Sequence, residues 1–149
     1  MIVSESDVFN LDISTLYALS TDFEKRLKWD YQTRAIGFLD GHSVLRQGAM
    51  VYTESIEGVR MDTEYIDFDP PNNLAIEMRN NSSIFTNFKG TWKFSEVSDT
   101  TTELKIIYQF ELRFPFNLIS LLVQKRIQKN MQNKLTFLSD SLKTMNLRS

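Results

Sequence analysis

Residues 115–145 constrain the rest of the chain more than any other stretch. Ile119, Val123, Ile127, Met131, Leu135, Leu138 and Leu142 recur every three or four positions, the spacing that keeps side chains on one face of an α-helix. Pro115 has no N–H to lose in a first helical turn, and no Gly or Pro follows it. At about 1.5 Å per residue the helix runs roughly 40 Å, longer than a small domain is wide. Such a rod, apolar along one stripe, needs a broad apolar surface to lie on.

The preceding chain supplies that surface. Residues 1–11 read as a strand, and Asp12 is placed to cap a short helix over 13–20. Asp22 caps a second, 23–28, ending at Trp29. Strand after strand follows, each closed by turn residues. Residues 31–39 close at Asp40-Gly41, 49–56 at Glu57-Gly58, and 59–68 at Asp69-Pro70-Pro71-Asn72. Residues 74–79 close at Asn80-Asn81-Ser82-Ser83, 85–97 at Ser98-Asp99-Thr100, and 102–114 lead into the long helix.

Period-two alternation sorts the faces. Leu104, Ile106, Tyr108, Phe110, Leu112 and Phe114 share the inner side of the last strand. Phe88, Gly90, Trp92 and Phe94 form a second inward set, Leu74, Ile76 and Met78 a third, and Met61, Thr63 and Tyr65 a fourth. Strands 31–39 and 49–56 have mixed faces and declare no inner side. One apolar sheet face covered by one helix is a two-layer α+β arrangement, and 149 residues suffice for a single domain over 1–149. The helix covers only about 10 Å of width, whereas six or seven strands about 4.8 Å apart span roughly 30 Å. The sheet is therefore expected to curl around the helix and enclose a space, with Gly90 marking a bend or a close approach.

Several strings carry a family resemblance. They are Leu11-Asp12-Ile13 through Thr21-Asp22-Phe23 to Trp29-Asp30, then Asp69-Pro70-Pro71 followed by Leu74, and Gly90-Thr91-Trp92-Lys93-Phe94. Tyr108-Gln109-Phe110-Glu111-Leu112, passing through Pro115 into the terminal helix, completes the set. In this order they resemble the helix-grip (Bet v-like) fold of the START, polyketide cyclase and pollen-allergen superfamily, SRPBCC, over essentially the whole chain. The Gly-x-Trp-x-Phe string also resembles the coenzyme Q-binding and ribosome-association toxin branch. The resemblance implies a deep apolar cavity between sheet and helix for lipids, polyketides, hormones or quinones. It further implies that some members catalyse cyclisation or dehydration while others act through partner proteins.

Chemistry-bearing motifs are sparse. No cysteine is present, which removes disulfides, thiol nucleophiles and zinc-thiolate sites. His42 is the only histidine, so two-histidine metal motifs are excluded, and it reads as a solvated loop residue. No phosphate-binding glycine motif occurs, and a net charge of −2 gives no general pull toward nucleic acid. No metal and no cofactor is expected. Asp62 with Glu64, and Glu103 with Glu111, fall on outward faces, which argues against a catalytic carboxylate pair. The start of the chain lacks a basic region followed by an apolar core, and the greasy run 114–123 is too short to span a bilayer. A cytoplasmic protein without a transmembrane segment is expected.

The expected cavity wall comprises Met61, Tyr65, Ile76, Met78, Phe88, Trp92, Tyr108 and Phe110 from the sheet, with Ile127, Met131 and Leu135 from the helix. Tyr65 and Tyr108 would supply polar contacts, since a buried phenol seeks a partner. A filled core of the same residues is the competing reading. Six basic residues follow Asn117 (Lys125, Arg126, Lys129, Lys134, Lys143, Arg148) against the single acid Asp140, and they read as solvating the helix's outer face. Leu118, Leu121 and Leu122 lie off the inward stripe. With Lys125 and Lys129 they suit a transient membrane-surface or protein contact, or they are buried under loops near His42. The expected function is binding or transport of a hydrophobic small molecule. The alternatives are a cyclase or dehydratase, and an interaction module using the Leu-rich helix start.

Overall fold

A computed structural model describes residues 1–39 and 41–148, with 145–148 by backbone alone. Asp40 of the expected Asp40-Gly41 turn lies outside the described residues. Strand β1 (Ile2–Phe9) leads to Asp12, whose carboxylate accepts from the Thr15 backbone N–H at 3.2 Å and the Thr15 hydroxyl at 2.6 Å. This cap starts α1 (Ile13–Thr21). Asp22 repeats the device, accepting from the Lys25 N–H at 3.0 Å to start α2 (Phe23–Trp29). Each cap contributes about 1 kcal/mol. The buried Trp29 fixes the corner between the two helices, its indole N–H donating to the Leu19 carbonyl at 2.9 Å.

Six further strands follow: β2 (Thr33–Phe38), β3 (Met50–Ser55), β4 (Arg60–Asp69), β5 (Asn73–Met78), β6 (Phe85–Ser98) and β7 (Thr101–Leu112). All seven join one antiparallel sheet in the order β1-β7-β6-β5-β4-β3-β2, which leaves β1 and β2 as its edges. Leu104, Ile106, Phe110 and Leu112 of β7 and Phe88, Trp92 and Phe94 of β6 are buried, as the alternation predicts. Phe114 departs from it: the strand ends at Leu112, and Phe114 lies beyond it, exposed. A bulge between Tyr65 and Asp67 shifts the phase of β4 and brings the Tyr65 and Phe68 rings within 6.1 Å of each other.

The terminal rod also departs from expectation at its start. Phe116–Ile119 form a 3-10 turn, and α3 (Ser120–Arg148) begins only after it. Three residues per turn rotate Ile119 out of the α-helical stripe, and it is half exposed. Farther along, Met131, Leu135 and Leu138 are buried in the core.

The helix is bonded to both edges of the sheet. Gln128 and Gln132 donate to Glu5 of β1 at 2.8 and 3.0 Å. From the other edge, Gln32, just before β2, donates to the Asn130 carbonyl at 2.9 Å, and Arg126 reaches Glu57 in the β3–β4 turn at 2.8 Å. Seven strands laid flat would hold their edges about 29 Å apart, about three helix widths. The sheet must wrap, and the result is the helix-grip α+β architecture. Gly90 serves the wrap by close approach, since a Cβ there would meet the Tyr108 ring at 3.2 Å and Ile76 at 3.3 Å.

Seating of the helix sets a contrast between its ends. Leu138→Ala should lower unfolding free energy by about 2–5 kcal/mol, and Leu121→Ala by less than about 0.5 kcal/mol, as read by urea titration. Equal losses would contradict the placement of α3.

Candidate functional site

Between the wrapped sheet and α3 lies a cavity of about 940 Å³. Its wall is built from Ile36 of β2, Val51 and Thr53 of β3, Met61, Thr63 and Tyr65 of β4, and Leu74 and Ile76 of β5. Phe85, Phe88 and Trp92 of β6, Tyr108 of β7, and Val123, Ile127, Met131 and Lys134 of α3 add to it, with Arg26 of α2 and polar residues from the loops and from α3 among the rest. The sheet's share of the wall thus comes mostly from β2 to β6.

Eight of the residues expected on the wall are on it: Met61, Tyr65, Ile76, Phe88, Trp92, Tyr108, Ile127 and Met131. Met78, Phe110 and Leu135 are not among the lining residues. Phe110 stacks on Phe88 at 6.2 Å between ring centres and meets Phe85 at 5.6 Å, so it fills core rather than facing space. Leu135 is a buried member of the packed cluster, and Met78, at the end of β5, packs half-buried against that cluster. The hollow takes only part of the sheet–helix interface, and an inward side chain outside that part is packing. The two mixed strands also declare their faces. Val51 and Thr53 look inward, whereas Tyr52 lies under the Arg60 guanidinium, 4.7 Å from the ring centre.

An ionic group that the sequence pattern did not single out stands at the wall. Asp30, which ends α2, is fully buried. Its Oδ2 accepts from Lys134 Nζ at 2.7 Å, the Thr33 hydroxyl at 2.9 Å and Arg26 Nε at 3.2 Å, and its Oδ1 accepts from the Gln32 N–H at 3.2 Å. The Arg26 guanidinium lies 5.2 Å over the Trp92 ring. Lys134 corrects the reading that the basic residues of the last helix solvate its outer face, for it is only 7% exposed. The signal was in the spacing: 134 lies three residues after Met131 and four before Leu138, on the inward face.

The remaining candidates lie elsewhere. His42 sits in the β2–β3 loop and does not line the cavity. Asp62 pairs with Arg60 at 2.9 Å and Glu64 with Arg79 at 3.4 Å, both off the wall. No group of three metal-ligating His, Cys, Asp or Glu side chains occurs among the described residues. No helix among them is long and apolar enough to cross a membrane. Leu118, Leu121 and Leu122 are all about two-thirds exposed or more, so they are not buried under the loops. Leu122 joins Ile56 and Val59 at the cavity rim, and Lys125 and Lys129 are exposed beside it.

The sequence profile of the polyketide cyclase/dehydrase and lipid transport family matches residues 1–142. The chain belongs to this family. No curated protein sequence matches it. Among solved structures, the di-domain aromatase/cyclase BexL superposes with a TM-score of 0.78 at 12% identity, covering 96% of this chain and 46% of that one. The chain thus spans about half of that di-domain relative. A protein from Thermus thermophilus gives a TM-score of 0.78 at 19% identity, covering 94% and 95% of the two chains. A START superfamily protein from Mycobacterium smegmatis gives 0.70 at 15% identity, covering 97% and 95%. At these identities the likeness shows the shared fold alone.

The ionic group of this polyketide cyclase/lipid transport family member titrates in opposed directions. Burial alone would raise the Asp30 pKa, but the Lys134 ammonium and the Arg26 guanidinium outweigh it and hold the carboxyl well below the usual range. Burial pulls Lys134 down to about 8, with Asp30 opposing and Arg26 adding to the fall. Burial also pushes the Tyr108 phenol up to about 12 and raises Tyr65, so both stay neutral hydrogen-bonding groups.

A lowered carboxylate pKa stabilises the folded state fully above the unfolded value, near 3.8, and that stability is lost as pH falls toward the lowered one. Asp30→Asn should therefore destabilise by about 3–5 kcal/mol at neutral pH, since two cations lose their shared anion. It should also flatten the acid limb of a melting-temperature profile below about pH 4. A variant melting like the parent across that range would contradict the assignment.

Proposed function

We propose that this family member binds and carries a hydrophobic small molecule, in the cytoplasm, within the space between its sheet and terminal helix. The observation that carries the reading is the hollow itself. At about 940 Å³ it lies within the range of small-molecule sites, about 300–1,000 Å³, and aromatic, methionine and aliphatic side chains dominate its wall. Apolar ligand surface removed from water contributes about 25 cal/mol per Å². Met61 and Met131 adapt to ligand shape, and the neutral phenols of Tyr65 and Tyr108 orient a carbonyl or hydroxyl. The description of the family supports the same class of ligand.

A second reading is favoured by one observation. A cyclase or dehydratase needs inward ionisable groups, and Arg26 and Lys134 are such groups. The bare Leu118, Leu121 and Leu122 beside Lys125 and Lys129 suit a transient membrane or protein contact during exchange, and this is compatible with either reading.

Native mass spectrometry of protein purified without refolding tests carriage. The expected result is an added mass that is released on denaturation. In Ile127→Trp, which fills the hollow from α3, that mass should fall by about tenfold or more while the melting temperature holds or rises. A clean apo mass together with no thermal shift across lipids, quinones and polyaromatic ketones would overturn the proposal.

A further inference from the structure

We propose that the ligand is an amphipath with an anionic oxygen head, received at the ionic end of the cavity by Arg26 and Lys134. The inference rests on the carriage reading and adds the charge class of the ligand to it. Its basis is an asymmetry in how the buried charges are placed. Arg26 and Lys134 line the cavity, whereas Asp30 stands behind them and does not. Both Asp30 oxygens are already engaged, Oδ2 by three donors and Oδ1 by a backbone N–H. The carboxylate is thus spent on holding the cations, and the face presented to the cavity is positive.

The cations retain donors. Lys134 uses one N–H, toward Asp30, and an ammonium has three. Arg26 uses Nε alone among the described hydrogen bonds, and its guanidinium, lying over the Trp92 ring, keeps its terminal nitrogens for another acceptor. The other charged groups on the wall do not supply that acceptor. Glu57 at the rim pairs with Arg126, Glu54 pairs with Arg34, and Tyr65 and Tyr108 are neutral. Two cations against one carboxylate leave a surplus positive charge in surroundings that penalise it. A carboxylate or enolate oxygen from the ligand balances the site and completes its hydrogen bonds.

Isothermal titration calorimetry of the full chain at neutral pH, with matched acid and alcohol pairs, decides the matter. The aliphatic pair is decanoate and decan-1-ol; the flat aromatic pair is 2-naphthoate and 2-naphthol. In at least one pair the acid should bind about tenfold or more tighter than its alcohol. Arg26→Met and Lys134→Met each leave one cation facing Asp30. Each should lower acid affinity by about tenfold or more and abolish most of the acid's advantage over its alcohol. Equal binding of acid and alcohol to the parent, or an advantage that survives both substitutions, overturns the anionic-head assignment and leaves carriage standing. Failure of all four compounds to bind likewise overturns the anionic-head assignment, and the native mass measurement alone then decides carriage. Should a variant fail to fold, the comparison on the parent protein still decides.

Discussion

One helix bonded to both free edges of a seven-stranded sheet is the constraint from which the rest of the structure follows. Edge strands of an open sheet ordinarily lie far apart and need separate protection. Here β1 and the start of β2 share one cover, so the sheet bends until its concave face is deeper than a single row of helix side chains can fill. The depth is then partitioned. Near β1 and β7, Val3, Leu104 and Ile106 are buried in the core cluster with Leu135 and Leu138. Toward β2 to β6 the wall residues face space. Packed core and hollow are thus two parts of one interface.

That division explains why a charged group is tolerated at the wall. An isolated ion buried in an apolar interior is strongly disfavoured. Asp30, Arg26 and Lys134 survive because α2 ends where α3 passes, and Thr33 and the Gln32 N–H add neutral donors to the carboxylate. The group also joins the helix pair to the terminal helix, which the sheet alone would not do. Removing one partner of this group would strand a buried charge, so the contact ties the placement of α2 to that of α3.

Much of this architecture was legible in residue order, and the exceptions share a physical cause. β6 and β7 could be read because one face meets core and the other water, so alternation was clean from Phe88 to Phe94 and from Leu104 to Leu112. β2 and β3 could not, because their inner face looks partly onto the hollow and admits Thr53, while Tyr52 is held outside by Arg60. A cavity relaxes the rule that inward means greasy. Lys134 follows the same cause: its spacing points inward while a lysine's chemistry points outward, and only the buried Asp30 carboxylate reconciles the two. Phe110 and Met78 show the converse, since periodicity separates inside from outside but not packing from space.

The contacts that fasten α3 along the β2 side differ in depth. Deepest is Lys134 on Asp30; next comes the Tyr31 ring against Phe137, 5.2 Å between centres, then Gln32 on Asn130, and last the exposed pair Arg126 and Glu57. Exposed ion pairs hold by about 0–1 kcal/mol, far less than a buried one whose rupture strands a charge. The helix is therefore a clasp with a fixed pivot and a loose tongue. Local opening is expected first at the Leu122 end, on the cavity rim, and last at Lys134, which its buried contact with Asp30 holds in place.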